Sequence, residues 1–78
     1  VSRRAVMTLD EALALVARMV GQRLDWASLE SFLPEGLAPD HYRSAVASSF
    51  VAALVLARQG RLQLDQTAAF APLMVKAA

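Results

Sequence analysis

Chemistry on a protein requires a nucleophile or an acid–base group held beside a partner, and few residues of this chain qualify. It contains one histidine, His41, and no cysteine in 78 residues. His41 stands beside Asp40 in the first turn of an expected helix, with no second histidine to complete a metal site, so it reads as a solvated side chain. Without cysteine there are no disulfides, no thiolate chemistry and no cysteine-bound metal, a composition that fits a reducing compartment. Asp10, Glu11, Asp25 and Asp40 all fall at helix starts, where capping and the helix dipole account for a carboxylate. The glycines form no phosphate-cradling loop. Trp26 and Phe32 share a short helix face with Leu29, which suits core aromatics better than stacking platforms. The expectation is a protein with no catalytic residue, no metal and no cofactor.

What remains is a scaffold, organised around the stretch from Ser48 to Phe70. From Ala45 to Ala57 only Ser48 and Ser49 interrupt an apolar run. Arg58 and Gln59 make a polar last turn, and Gly60 sits where a left-handed residue ends a helix. Arg61, Gln63 and Asp65 then alternate with Leu62 and Leu64, the period of a half-buried strand, and Pro72 to Lys76 can fold back beside it. Upstream, Thr8-Leu9-Asp10-Glu11 is a capping-box signature. Leu9, Ala12, Leu13, Val16, Met19 and Val20 follow at helical spacing and make one apolar face, up to Gly21. Asp25 is positioned to cap a second, short helix, Trp26 to Leu33, anchored by Trp26, Leu29, Phe32 and Leu33 and closed by Pro34 and Gly36.

The third and longest expected helix, Asp40 to Gln59, has Val46, Phe50, Ala53, Leu54 and Ala57 on its inner face by spacing, with Phe50 against Leu13 and Val16. Its other face holds His41, Ser44, Ser48, Ala52, Val55 and Gln59, flanked by Ala45, Ser49 and Leu56. That face is nearly uncharged, which favours a helix sandwiched inside the domain over a partner-facing one. Residues 1–7, with Arg3 and Arg4, read as a linker or, at Ala5 to Met7, a short lead strand. The expected fold is mainly α with a small β-ribbon: a winged helix over residues 8–78, three helices plus a two- or three-stranded wing.

Composition narrows the partners. With 56% hydrophobic and 19% charged residues, the chain is too apolar for disorder. A domain of this size buries only about 60% of its unfolded surface, so part of that apolar surface is expected to face another protein. Eight basic and seven acidic residues leave a net charge of +1, too balanced to draw the domain to nucleic acid or an anionic membrane by field alone. The longest apolar run falls short of the roughly 18 residues a membrane span needs, and no secretory or transit signal opens the chain. The absence of a first methionine suggests a piece of a longer protein.

A helix-turn-helix arrangement raises the alternative of a DNA-binding winged helix from a transcriptional regulator, whose third helix would read base edges. That helix carries Arg43 and Arg58 at its ends and serine, alanine and valine between them, a poor set for phosphates or bases. Arg61 and Lys76 alone serve the wing. A third reading is a homodimer formed through the bland helix face. Binding to duplex DNA at low salt and light scattering at two concentrations separate these.

Ser49-Phe50-Val51-Ala52-Ala53-Leu54-Val55-Leu56-Ala57-Arg58-Gln59-Gly60 resembles the C-terminal region of segregation and condensation protein A (ScpA), the bacterial kleisin family, where a Phe-Leu-Ala-Leu-Leu-Glu-Leu-like helix ends in a basic residue and glycine. Leu62-Gln63-Leu64-Asp65-Gln66, then Phe70 and Leu73, is similar to the family's following strand and its Phe-Gly-x-Ile-like segment. Val55, Ala71 and Thr67 to Ala69 depart from that pattern, where glutamate, glycine and acids are usual. The resemblance implies a non-enzymatic subunit domain of a bacterial condensin-like complex, cytoplasmic and nucleoid-associated, acting in chromosome condensation and segregation. Its direct partner would be the ATPase head of an SMC subunit. The ScpB dimer would bind a central kleisin region outside this chain, and neither membrane nor sequence-specific nucleic acid is expected as a direct partner. On that reading the ribbon docks on the head. Its last strand is expected at the sheet edge with unpaired backbone groups, making Leu73, Met74 and Val75 the contact segment, with Phe70 at the ribbon turn beside them. Phe70 either plugs the core or fills a pocket on the head. Leu15 and Arg18, on the outward side of the first helix, are expected to contribute.

Overall fold

A computed structural model describes residues 7–78. The expected lead strand at Ala5 to Met7 and the pair Arg3 and Arg4 lie outside the described residues, except for Met7. The chain runs through helix α1 (Leu9–Gly21), strand β1 (Ala27–Ser28), a 3₁₀ turn (Leu29–Phe32), helix α2 (Pro39–Arg58), and strands β2 (Leu62–Asp65) and β3 (Met74–Ala77). Among the described residues, two helices and a three-stranded antiparallel sheet make a mixed α/β domain, with strand order β1-β3-β2.

The helix ends follow local chemistry. At α1 the Thr8 hydroxyl oxygen accepts the Glu11 amide at 3.1 Å while Glu11 Oε1 accepts the Thr8 amide at 2.8 Å, the reciprocal capping box that the sequence announces. Pro39 opens α2 at a position where its missing N–H costs nothing, and Asp40 in the first turn suits the positive helix end. At the far end Gly60 adopts φ 74°. The Arg61 amide donates to the Leu56 carbonyl at 2.9 Å and the Gly60 amide to Ala57 at 3.0 Å, a Schellman close that turns the chain directly into β2.

The expected second helix is not formed. Asp25 Oδ1 accepts the amide of its immediate neighbour Trp26 at 2.7 Å, one residue too early to cap a helix turn. The backbone that follows is taken by the sheet: Ala27 pairs with Val75, Ser28 with Met74, and the Leu29 amide donates to the Leu73 carbonyl at 2.9 Å. Four residues of 3₁₀ turn remain before Pro34. Leu29, Phe32 and Leu33 are buried as expected, but Trp26, on the sheet side of the turn, stays exposed.

The long helix is rotated about its axis by about one residue, or 100°, from the expected orientation. Its buried side is Ala45, Ser49, Ala52, Ala53 and Leu56, while Phe50 and Leu54 stand 43% and 45% exposed. Phe50 therefore does not pack on Leu13 and Val16. The cause is residue size: α1 presents Ala12, Val16 and Val20, and the two helices approach closely only where α2 offers alanine and serine. The core is then closed by Leu29, Phe32, Leu62 and Val75 from the other elements, with Leu13, Met19, Leu64 and Leu73 packed at its margin. Leu9, counted with the inner face of α1, is exposed at its start.

Two serines of the bland face have a specific task. Ser44 Oγ accepts the Met7 amide at 3.0 Å, and Ser48 Oγ donates to the Met7 carbonyl at 2.7 Å. One turn apart on α2, they fix both backbone groups of the residue that leads into α1.

Candidate functional site

Among the described residues no group of three or more histidine, cysteine or acidic side chains gathers as a metal site, and no helix is long and apolar enough to cross a membrane. His41 is half-buried and lines a concavity of about 210 Å³ with Met7, Glu11, Leu37 and Ala45. The features that stand out are apolar side chains left in solvent, and two of them, Phe50 and Phe70, stand where the loop between β2 and β3 meets α2.

The loop between β2 and β3 is tied within itself by one side-chain and one backbone hydrogen bond. Gln66 Nε2 donates to the Ala71 carbonyl at 2.7 Å, and the Ala71 amide donates to the Ala68 carbonyl at 3.1 Å. Between these ties Phe70 takes φ 66°, the sole non-glycine residue at positive φ among the described residues, and its side chain is fully exposed. A bulky residue there is an outlier with a conformational cost of about 1–2 kcal/mol. Phe70 does not plug the core.

Beside it a groove of about 210 Å³ runs between the loop and α2, floored by Leu29, Val46, Phe50, Pro72 and Leu73 and edged by Glu30 and Gln66. Glu30 is fixed there by the Tyr42 hydroxyl, which donates to its Oε2 at 2.8 Å. The same bond raises the tyrosine pKa above its ordinary value of 10.0, because the carboxylate accepts a hydrogen bond from the neutral phenol, and desolvation and the carboxylate's charge both disfavour the phenolate.

The six expected contact residues separate into distinct places. Phe70 and Leu73 come together at the groove. Met74 is half-buried and paired on both sides, with Ser28 and with Asp65, and Val75 is only 1% exposed. Strand β3 is the centre of the sheet and not its edge, since β1 covers the side expected to be free. Val75 is consequently a core residue and cannot touch a partner. Leu15 is half-buried and Arg18 exposed on α1, and neither lines the groove. Phe50 and Val46 belong to this surface although spacing assigned them to the core. The small residues on one side of α2 were the available signal: where alanine and serine line a contact, the bulky residues are left outside.

No protein-family model matches this chain, and a search of curated proteins finds no match.

Proposed function

We propose that this chain is a docking module of a bacterial kleisin: a winged-helix domain of the ScpA type, without catalytic activity, that seats on the ATPase head of an SMC subunit. The observation that supports docking is Phe70, which combines a fully solvated aromatic ring with a left-handed backbone at the tip of a tied loop. A residue carrying both costs suits an anchor that fills a pocket on another protein. The groove beside it, with Phe50 and Leu73, supplies the apolar margin of such a contact. The partner comes from the resemblance of Ser49 to Gly60 and of Leu62 to Leu73 to the kleisin pattern. The order helix, strand, 3₁₀ turn, helix, strand, strand is compatible with a winged helix whose second helix is reduced to one turn.

On this reading the domain neither binds nucleotide nor closes a ring by itself. The whole kleisin bridges two heads and engages ScpB through another region, in the cytoplasm on the nucleoid, for chromosome condensation and segregation. Duplex reading would require basic groups along α2; between Arg43 and Arg58 that helix carries none.

Capture of the 78-residue chain by a purified SMC head fragment tests the proposal. Phe70→Asn removes the ring, and asparagine tolerates the same backbone conformation; capture is expected to weaken at least about tenfold while the melting temperature stays at or above that of the parent chain. Capture that survives this change in a folded chain ends the role of the wing tip. Retention on duplex DNA at low salt without capture by the head overturns the kleisin reading.

A further inference from the structure

The outer side of α2 is a second surface, which adjoins the groove at Phe50. At about 100° per residue, Val46 and Phe50 border the wing loop, whereas Val51 and Leu54 lie farther round the helix, each 45% exposed and neither lining the groove. From Ser44 to Ala57 no charged residue interrupts the helix, although a free outer face is normally polar.

The ends of this face identify what fits it. Asp40 and Arg58 are both exposed and eighteen residues apart, which at about 3.6 residues per turn is five whole turns. They therefore lie on one line of the helix, about 27 Å apart, with opposite charge. A helix lying antiparallel on this face must offer a basic group opposite Asp40 and an acidic group opposite Arg58 at that separation, with Arg43 exposed at the margin one turn in from Asp40 and small and apolar residues from Ser44 to Ala57. Helix α2 turned end for end meets those requirements. The two-fold axis then passes at the level of Ser49, Ala47 of each copy meets Val51 of the other, and the helix dipoles oppose. Such an isologous contact closes on itself.

We propose that a second copy of this chain covers the outer face of α2, forming an antiparallel two-fold dimer bounded by two Asp40–Arg58 pairs. The exposed pairs set register more than affinity. A face one helix long falls at the small end of specific interfaces, below roughly 1,200 Å² in total, so monomer and dimer exchange with concentration. This dimer does not depend on docking to a head, and Phe70→Asn leaves it intact.

Sedimentation velocity on the 78-residue chain, up to ~1 mM, reads the equilibrium, and a reversible dimer is expected. Val51→Glu and Leu54→Glu, whose side chains already stand in solvent, keep the circular dichroism spectrum and weaken association at least about tenfold. Register is read by charge exchange. Asp40→Arg and Arg58→Glu each set like charges against one another in their own homodimers and weaken them, whereas an equimolar mixture restores both pairs as a heterodimer. A chain monomeric throughout the range overturns the proposal. So does a dimer indifferent to Val51→Glu and Leu54→Glu, or a mixture no more associated than its components.

Discussion

Two side chains carry electrostatic or desolvation terms that single substitutions can read. Ser49 is buried against α1, and its Oγ finds no hydrogen-bond partner among the described residues. Serine there satisfies the need for a small residue at the helix crossing but leaves a desolvated hydroxyl. Ser49→Ala keeps the volume and removes that group, so it is expected to raise stability by about 1 kcal/mol, seen as a higher melting temperature; a lower one would count against the placement. Glu11 is held below its ordinary pKa of 4.5, first by the Thr8 amide and then by the Thr8 hydroxyl, which both favour the carboxylate. A lowered folded-state value means this contribution is present above pH 4.5 and is lost as pH falls through the folded-state pKa. Thermal melts from pH 6 downward should show a smaller acid loss for Glu11→Gln than for the parent chain, with the two curves converging once Glu11 is protonated.

At the scale of the element, the rotation of α2 decides which large residues stabilise the fold. Leu56 is 2% exposed between α1 and the sheet, while Phe50 is 43% exposed beside the loop between β2 and β3. Leu56→Ala is expected to cost about 2–5 kcal/mol, a cavity at the centre of the core, and Phe50→Ala only about 1 kcal/mol. Urea melts of the two variants check the order, and the reverse order would restore the inward placement of Phe50. The helix stop is independent of this rotation. Gly60 at φ 74° has open space around the position of a Cβ, so Gly60→Ala costs only the backbone term, about 1 kcal/mol, readable in the same melts.

In the whole molecule, β3 joins the parts: it pairs with β1 on one side and β2 on the other and sends Val75 into the core. Hydrogen exchange should therefore be slowest at the Val75 amide and in the middle of α2, and fast from Thr67 to Phe70, where the loop is exposed. Fast exchange at Val75 would deny β3 its central place. The sequence by itself determined the features that depend on neighbours in the chain: the Thr8–Glu11 cap, the extent of α1 and α2, the Gly60 stop, and the alternation that puts Leu62 and Leu64 inward. These are set by interactions spanning one or two turns, or by the period of the strand. Tertiary structure decided what depends on who else competes for the same backbone or the same face. Trp26 to Leu33 has a helical apolar pattern, yet β3 claims the backbone at Ala27 and Ser28, and hydrogen bonds to a strand about fifty residues away outweigh a one-turn propensity. The face of α2 likewise followed the surface of α1. Apolar residues surround that helix on most sides, so hydrophobic spacing was nearly degenerate, and the closest approach of two helices chose the small residues over the large ones.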